Sequence, residues 1–168
     1  ALKTLYNLYG SKDELMLAAV AELLSDVQQQ EHVAGAELGI PRHLAHTEAV
    51  ARQIVATPAY ADTMARTLFQ AGRGHHLVDV LLGNSVRLLK ENLQQALAQG
   101  ELIENLDLEA TARVLAGHQW SSVLLWNKGL IALDAVPDAI LRSSLLSLIP
   151  LCRDGRRAQL EQQLGCLG

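Results

Sequence analysis

The chain has 168 residues, 49% of them hydrophobic and 19% charged, with a formal net charge of −4. That length supports one sizeable core, and that hydrophobic share excludes a disordered chain. The acidic balance excludes nucleic-acid binding by bulk electrostatics, and no apolar run approaches the ~18 residues that a membrane span needs. Aromatics are scarce while Ala, Leu and Gln abound, a palette that favours helices over strands. The start, Ala1-Leu2-Lys3, has neither an initiator Met nor a signal-peptide layout, which suggests residues upstream of it.

In chain order, Leu2 to Leu8 reads as a short helix ended by Gly10. Ser11-Lys12-Asp13-Glu14 then forms a Ser-x-x-Glu capping box: the Ser11 hydroxyl accepts from Glu14 N–H, and the Glu14 carboxylate accepts from Ser11 N–H. Leu15, Ala18, Ala19 and Leu23 follow at helical spacing, so this helix is predicted to run to about His32, before Gly35 and Gly39 break it. Pro41 suits the first turn of the next helix, which carries Leu44, Val50, Ile54 and Val55 to about Thr57. Thr57-Pro58 starts a short helix through Tyr60, Met64, Leu68 and Phe69, and Gly72-Arg73-Gly74 is a loop. The longest pattern, His76 to Gln99, closes at Gly100. Asp107 caps a helix to about Lys128-Gly129, and another runs from near Asp134-Ala-Val-Pro137 to Ile149. Pro150 ends or kinks it, and residues 156–164 add a turn or two. Nothing reads as a strand, so the predicted fold class is all-α.

The stretch Thr4-Leu-Tyr-Asn-Leu-Tyr-Gly-Ser11-Lys12, followed by the capping box and its helix, resembles the end of a TetR-family DNA-binding domain. The match covers the first ~30 residues; beyond them the likeness is one of architecture. The resemblance implies a remnant of a helix-turn-helix domain in residues 1–32, with its first two helices missing, and a helical ligand-binding and dimerisation domain in 33–168. It also implies that Leu2, Lys3, Thr4, Tyr6, Asn7 and Leu8 face DNA, although relatives often carry other residue types where Leu2 and Leu8 stand. Lys3, Thr4 and Tyr6 have the chemistry for phosphate contacts, Asn7 for an adenine edge, and Lys12 adds charge at a helix N-terminus.

Two later helices are apolar nearly all round. Ala112, Leu115, Ala116, Trp120, Val123, Leu124 and Trp126 leave the Asp107 helix little polar face, and Ile140, Leu141, Leu145, Leu146, Leu148 and Ile149 do the same on the next. A homodimer in which both helices join a four-helix seam resolves this, with Ala116, Gly117, Ser121, Leu124, Leu141, Leu145 and Leu148 at the interface. Polar residues that interrupt apolar faces point to a pocket for a small-molecule effector. On the His76 helix these are Asn84, Arg87 and Glu91; on the next they are His118, Gln119 and Asn127. Met64, Phe69, Trp120 and Trp126 supply its apolar walls.

His43-x-x-His46 and His75-His76 lack the further ligands that zinc needs, so no metal or cofactor is expected. No nucleophile–base, phosphate-loop or paired-carboxylate pattern marks an enzyme. Cys152 and Cys166, in a chain without a signal peptide, point to a reduced cytoplasmic setting and leave an intermolecular disulfide open. The leading expectation is a homodimeric, ligand-responsive transcriptional regulator, by family resemblance a repressor, that is released from operator DNA by its effector. The alternative is a helical protein-interaction module without DNA binding; a small all-α enzyme comes third.

Overall fold

The structure, a computed structural model, describes residues 37–72 and 75–167. The expected helix over residues 2–8, the Ser11 capping box with its helix, and Lys3, Thr4, Tyr6, Asn7 and Lys12 lie outside the described residues.

Among the described residues the fold is all-α, with six helices and no strand. Helix α1, Ile40–Ala56, takes Pro41 in its first turn, where a missing N–H costs nothing. Thr57 closes α1 by donating its hydroxyl to Gln53 O at 2.9 Å, and α2, Pro58–Gln70, begins at the following proline. Helix α3 spans His76–Ala98. Its end is a Schellman motif: Gly100, at φ 75°, donates to Leu97 O at 3.0 Å, and Glu101 N–H donates to Ala96 O at 2.9 Å. Helix α4, Leu108–Asn127, starts where the Asp107 carboxylate accepts from Ala110 N–H at 3.0 Å. Gly129 ends it in the same left-handed way, at φ 74°.

A 3-10 turn, Leu133–Ala135, leads into α5, Val136–Leu148, with Pro137 in its first turn. Pro150 sits in a second 3-10 turn, Ile149–Leu151. The expected turn or two after it is a full helix, α6, Asp154–Cys166, of 13 residues.

Helix α5 packs against both α1 and α4, α3 packs against α4 and α1, and α2 lies on α4. Ile40, Leu44, Leu93, Leu102, Leu115, Leu145 and Leu148 form most of the principal core. Full burial of each such side chain contributes about 1.5–3 kcal/mol before chain entropy is counted. Two loops close this end. Leu102 and Cys152 form an isolated antiparallel bridge, with Ile103 N–H donating to Leu151 O at 3.0 Å and Arg153 N–H donating to Glu101 O at 2.8 Å. At the other end Met64, Leu68 and Leu81 make a second cluster, and Ala51, Ala65, Val123, Val136 and Ile140 make a third. Trp120 and Phe69 pack against both.

This packing corrects three of the expected seam residues. Ala116, Leu145 and Leu148 are enclosed by the chain's own core, with Leu145 and Leu148 0% exposed, so none offers a surface to a partner. Their helices are apolar on two sides, and these residues occupy the inner side. Leu124 and Leu141 are half-buried, Leu141 against the principal core, while Gly117 and Ser121 are exposed. The outer face carries apolar residues that the seam expectation passed over: Val114 at 55%, Leu125 at 40% and Leu146 at 56% exposure.

Candidate functional site

Five helices line a partly open cavity of about 90 Å³, measured as the space open to the centre of a water molecule. Its walls follow helical spacing. His46, Thr47, Val50, Gln53 and Ile54 line it from α1, with Thr57 at the corner; Tyr60, Ala61 and Met64 line it from α2. Leu81, Asn84 and Ser85 face it from α3, Gln119, Trp120 and Val123 from α4, and Ile140 from α5. Each set repeats at one, three or four residues, which puts it on one side of its helix.

The polar groups of this wall are oriented by the helices themselves. Thr47 Oγ1 donates to His43 O at 2.9 Å, Thr57 Oγ1 to Gln53 O at 2.9 Å, and Ser85 Oγ to Leu81 O at 2.9 Å. A hydroxyl has one proton, so all three oxygens are left as acceptors. Gln119 Nε2 donates to Thr47 Oγ1 at 2.9 Å, which ties α4 to α1. With its amide nitrogen there, Gln119 keeps its carbonyl oxygen unbonded among the described residues. Asn84 is oriented the opposite way: its Oδ1 accepts from Arg87 Nη2 at 2.8 Å, leaving its NH₂ group as a donor.

Among the described residues no Asp, Glu, Lys or Arg side chain lines the cavity. Just below it in α1, His43 is 3% exposed, and its Nε2 has no partner among the described residues. Burial, reinforced by the charge of nearby His46, pulls the His43 pKa down to about 3, so the ring stays neutral.

The structure brings Met64, Asn84, Gln119 and Trp120 together in this wall and places the other four expected pocket residues elsewhere. Phe69 packs into the two neighbouring clusters, and Trp126 packs against the cluster around Val123. Arg87 is exposed and held by Glu91 at 2.8 Å as well as by Asn84; a guanidinium keeps its hydration by turning outward. His118 is exposed on the outer face of α4, with Nδ1 2.6 Å from Ser147 Oγ. Asn127 leaves the cavity too, donating to Asp62 Oδ1 at 2.8 Å. The α1 wall was missed altogether. Its signal is present in the sequence, since Thr47 and Gln53 interrupt the apolar stripe of Val50 and Ile54 as Asn84 and Gln119 do on their helices.

Of the histidine pairs, His43 lies in the core and His46 at the cavity. Among the described residues no three His, Cys, Asp or Glu side chains are placed to hold a metal ion. No described helix is long and apolar enough to cross a membrane. Both cysteines are free thiols, Cys152 buried and Cys166 exposed. No protein-family model matches the chain, and neither a characterised protein nor a solved structure matches it.

Proposed function

We propose that the chain is the sensing and dimerisation part of a ligand-responsive transcriptional regulator resembling the TetR family. The observation that carries this reading is the cavity: a small, mostly apolar space shared by five helices, with a few oriented polar groups and no catalytic constellation, suits reversible binding of an effector. The Thr4–Lys12 stretch and its capping box support the DNA-reading half. Helix α1 walls the cavity and follows directly on the segment expected to join reader to sensor. Effector binding that repositions α1 against α4, through the Thr47–Gln119 bond, is the mechanical route in this reading. Linkage then requires DNA and effector to weaken each other equally, by about 1–3 kcal/mol in typical cases.

The homodimer in this reading uses the outer faces of α4 and α5. Val114, Gly117, Ser121 and Leu125 recur at intervals of three and four on α4, and Leu146 lies on the exposed side of α5. Gly117 and Ser121 permit close helix approach, and the apolar trio supplies the drive. The same exposed trio favours the interaction-module alternative if DNA binding fails.

The test is selection from a random DNA pool by the full-length protein, followed by titration of the selected sequence. A specific sequence is expected, bound by a dimer. Tyr6→Ala or Lys12→Ala is expected to weaken it by loss of phosphate contacts while leaving the dimer whole. Leu146→Arg is expected to give monomers with the cavity intact. Failure to enrich any sequence removes the regulator reading. A compound that raises the melting temperature without altering DNA affinity removes the coupling.

A further inference from the structure

We infer that the cavity selects uncharged, ring-sized molecules whose polar group both donates and accepts a hydrogen bond, such as an alcohol or phenol, over acids, amines and ethers. This rests on the reading of the cavity as a small-molecule site and goes on to name what it takes. Size comes first. A space of about 90 Å³ open to the centre of a water molecule admits a single substituted ring.

Charge selection follows from the described lining. A buried carboxylate or ammonium needs a partner of opposite charge, and among the described residues the wall holds no Asp, Glu, Lys or Arg, while its one imidazole, His46, is already engaged within the protein. Arg87, the guanidinium bonded to wall residue Asn84, is exposed and paired with Glu91. An anion would further need donors, whereas the Thr47, Thr57 and Ser85 hydroxyls have given their protons to His43, Gln53 and Leu81.

Hydrogen-bond direction follows from the same bonds. On α3 the neighbours Asn84 and Ser85 present a free NH₂ group and a hydroxyl oxygen that can only accept. On α4 Gln119 offers a carbonyl oxygen. One ligand hydroxyl satisfies both kinds of group, accepting from Asn84 and donating to Ser85 or Gln119. An ether answers only the Asn84 donor, and a plain hydrocarbon answers neither. The wall thus discriminates by proton placement as well as by polarity, because helix carbonyls have already accepted the Thr47, Thr57 and Ser85 hydroxyl protons.

The test titrates the 168-residue chain at pH 7.5 with benzyl alcohol, its isomer anisole, benzoate and benzylammonium, by calorimetry. Site occupancy is read from the indole N–H resonance of Trp120, with that of Trp126 as internal reference. Benzyl alcohol is expected to bind about fivefold tighter than anisole, one hydrogen bond apart, and at least about tenfold tighter than either ion. Ser85→Ala is expected to narrow the alcohol–ether gap without weakening anisole. Binding of benzoate or benzylammonium as tight as the alcohol overturns the charge selection and leaves the cavity standing as a small-molecule site. Equal binding of anisole overturns the hydrogen-bond selection alone. An unmoved Trp120 resonance with all four probes overturns both this inference and the reading on which it rests.

Discussion

His43 makes the stability of this protein depend on acid, and the dependence can be worked out in advance. Its ring lies in the core with Nε2 unbonded among the described residues, and burial lowers its pKa to about 3. In the unfolded chain the same ring has a pKa of about 6.5. Between those values the unfolded state binds a proton that the folded state refuses, so stability is whole above about pH 6.5 and falls as the pH drops towards 3. At pH 5 the difference from neutral pH comes to about 2 kcal/mol for this one group, at 1.36 kcal/mol per pH unit less the rounding near 6.5. With a urea slope of about 2 kcal/mol per molar, the unfolding midpoint moves by about 1 M. The experiment compares urea unfolding of the native protein and His43→Leu at pH 7.5 and pH 5. Leucine fills a similar volume and removes the unbonded nitrogen, so the variant is expected to lose about 2 kcal/mol less than the native protein on acidification. Parallel losses in the two proteins would mean that His43 is protonated or solvated in the folded state, contrary to its packing.

Three further outcomes follow from other features. Asp107→Ala removes the carboxylate that accepts from Ala110 N–H and is expected to cost about 1 kcal/mol in a thermal melt, with Asp107→Asn restoring most of it; equal melting of native and Ala forms would show that the cap contributes nothing. Glu101→Ala leaves the Arg156 guanidinium, whose Nε donates to Glu101 Oε1 at 2.9 Å, without its largely buried partner, at an expected cost of about 3 kcal/mol. The double change Glu101→Leu with Arg156→Met is expected to recover most of that, and no recovery would argue against the charge explanation. Burial, then the neighbouring Glu101, pushes the Cys152 thiol up to about 11, so a thiol reagent at pH 8 is expected to label Cys166 alone until the protein unfolds; rapid labelling of two thiols in the folded state contradicts this.

The helix boundaries were legible because punctuation residues have local effects. Thr57-Pro58, Gly100, Asp107 and Gly129 each act through their own φ angle or their own hydrogen bond, and neighbours three to five residues away complete the motif. Helix α6 was underestimated for the opposite reason. Its sequence is polar, only Leu160 is buried, and no stripe announces it. The cavity was half legible. Interrupted apolar faces located Asn84, Gln119, Trp120 and Met64, because none of these side chains carries a charge that would draw it out to water. Arg87 and His118 broke the same pattern but found solvent and a partner on the outer surface. Spacing defines a face of a helix, and only tertiary packing decides what lies against it. The seam illustrates this: Leu145 and Leu146 are adjacent in sequence, yet one is enclosed and the other open to solvent.

Helix α6 is fastened at its ends more than along its length. Arg156 holds Glu101 at its first turn, and the Arg142 guanidinium of α5 reaches the Leu167 carbonyl just past its last. Between those ends Leu160 enters the principal core, with Leu164 packed against it. Helix α6 contributes no residue to the cavity wall. The C-terminal helix therefore closes the principal core at the Glu101 end, and a substitution on its outer side changes neither that core nor the five-helix wall of the cavity.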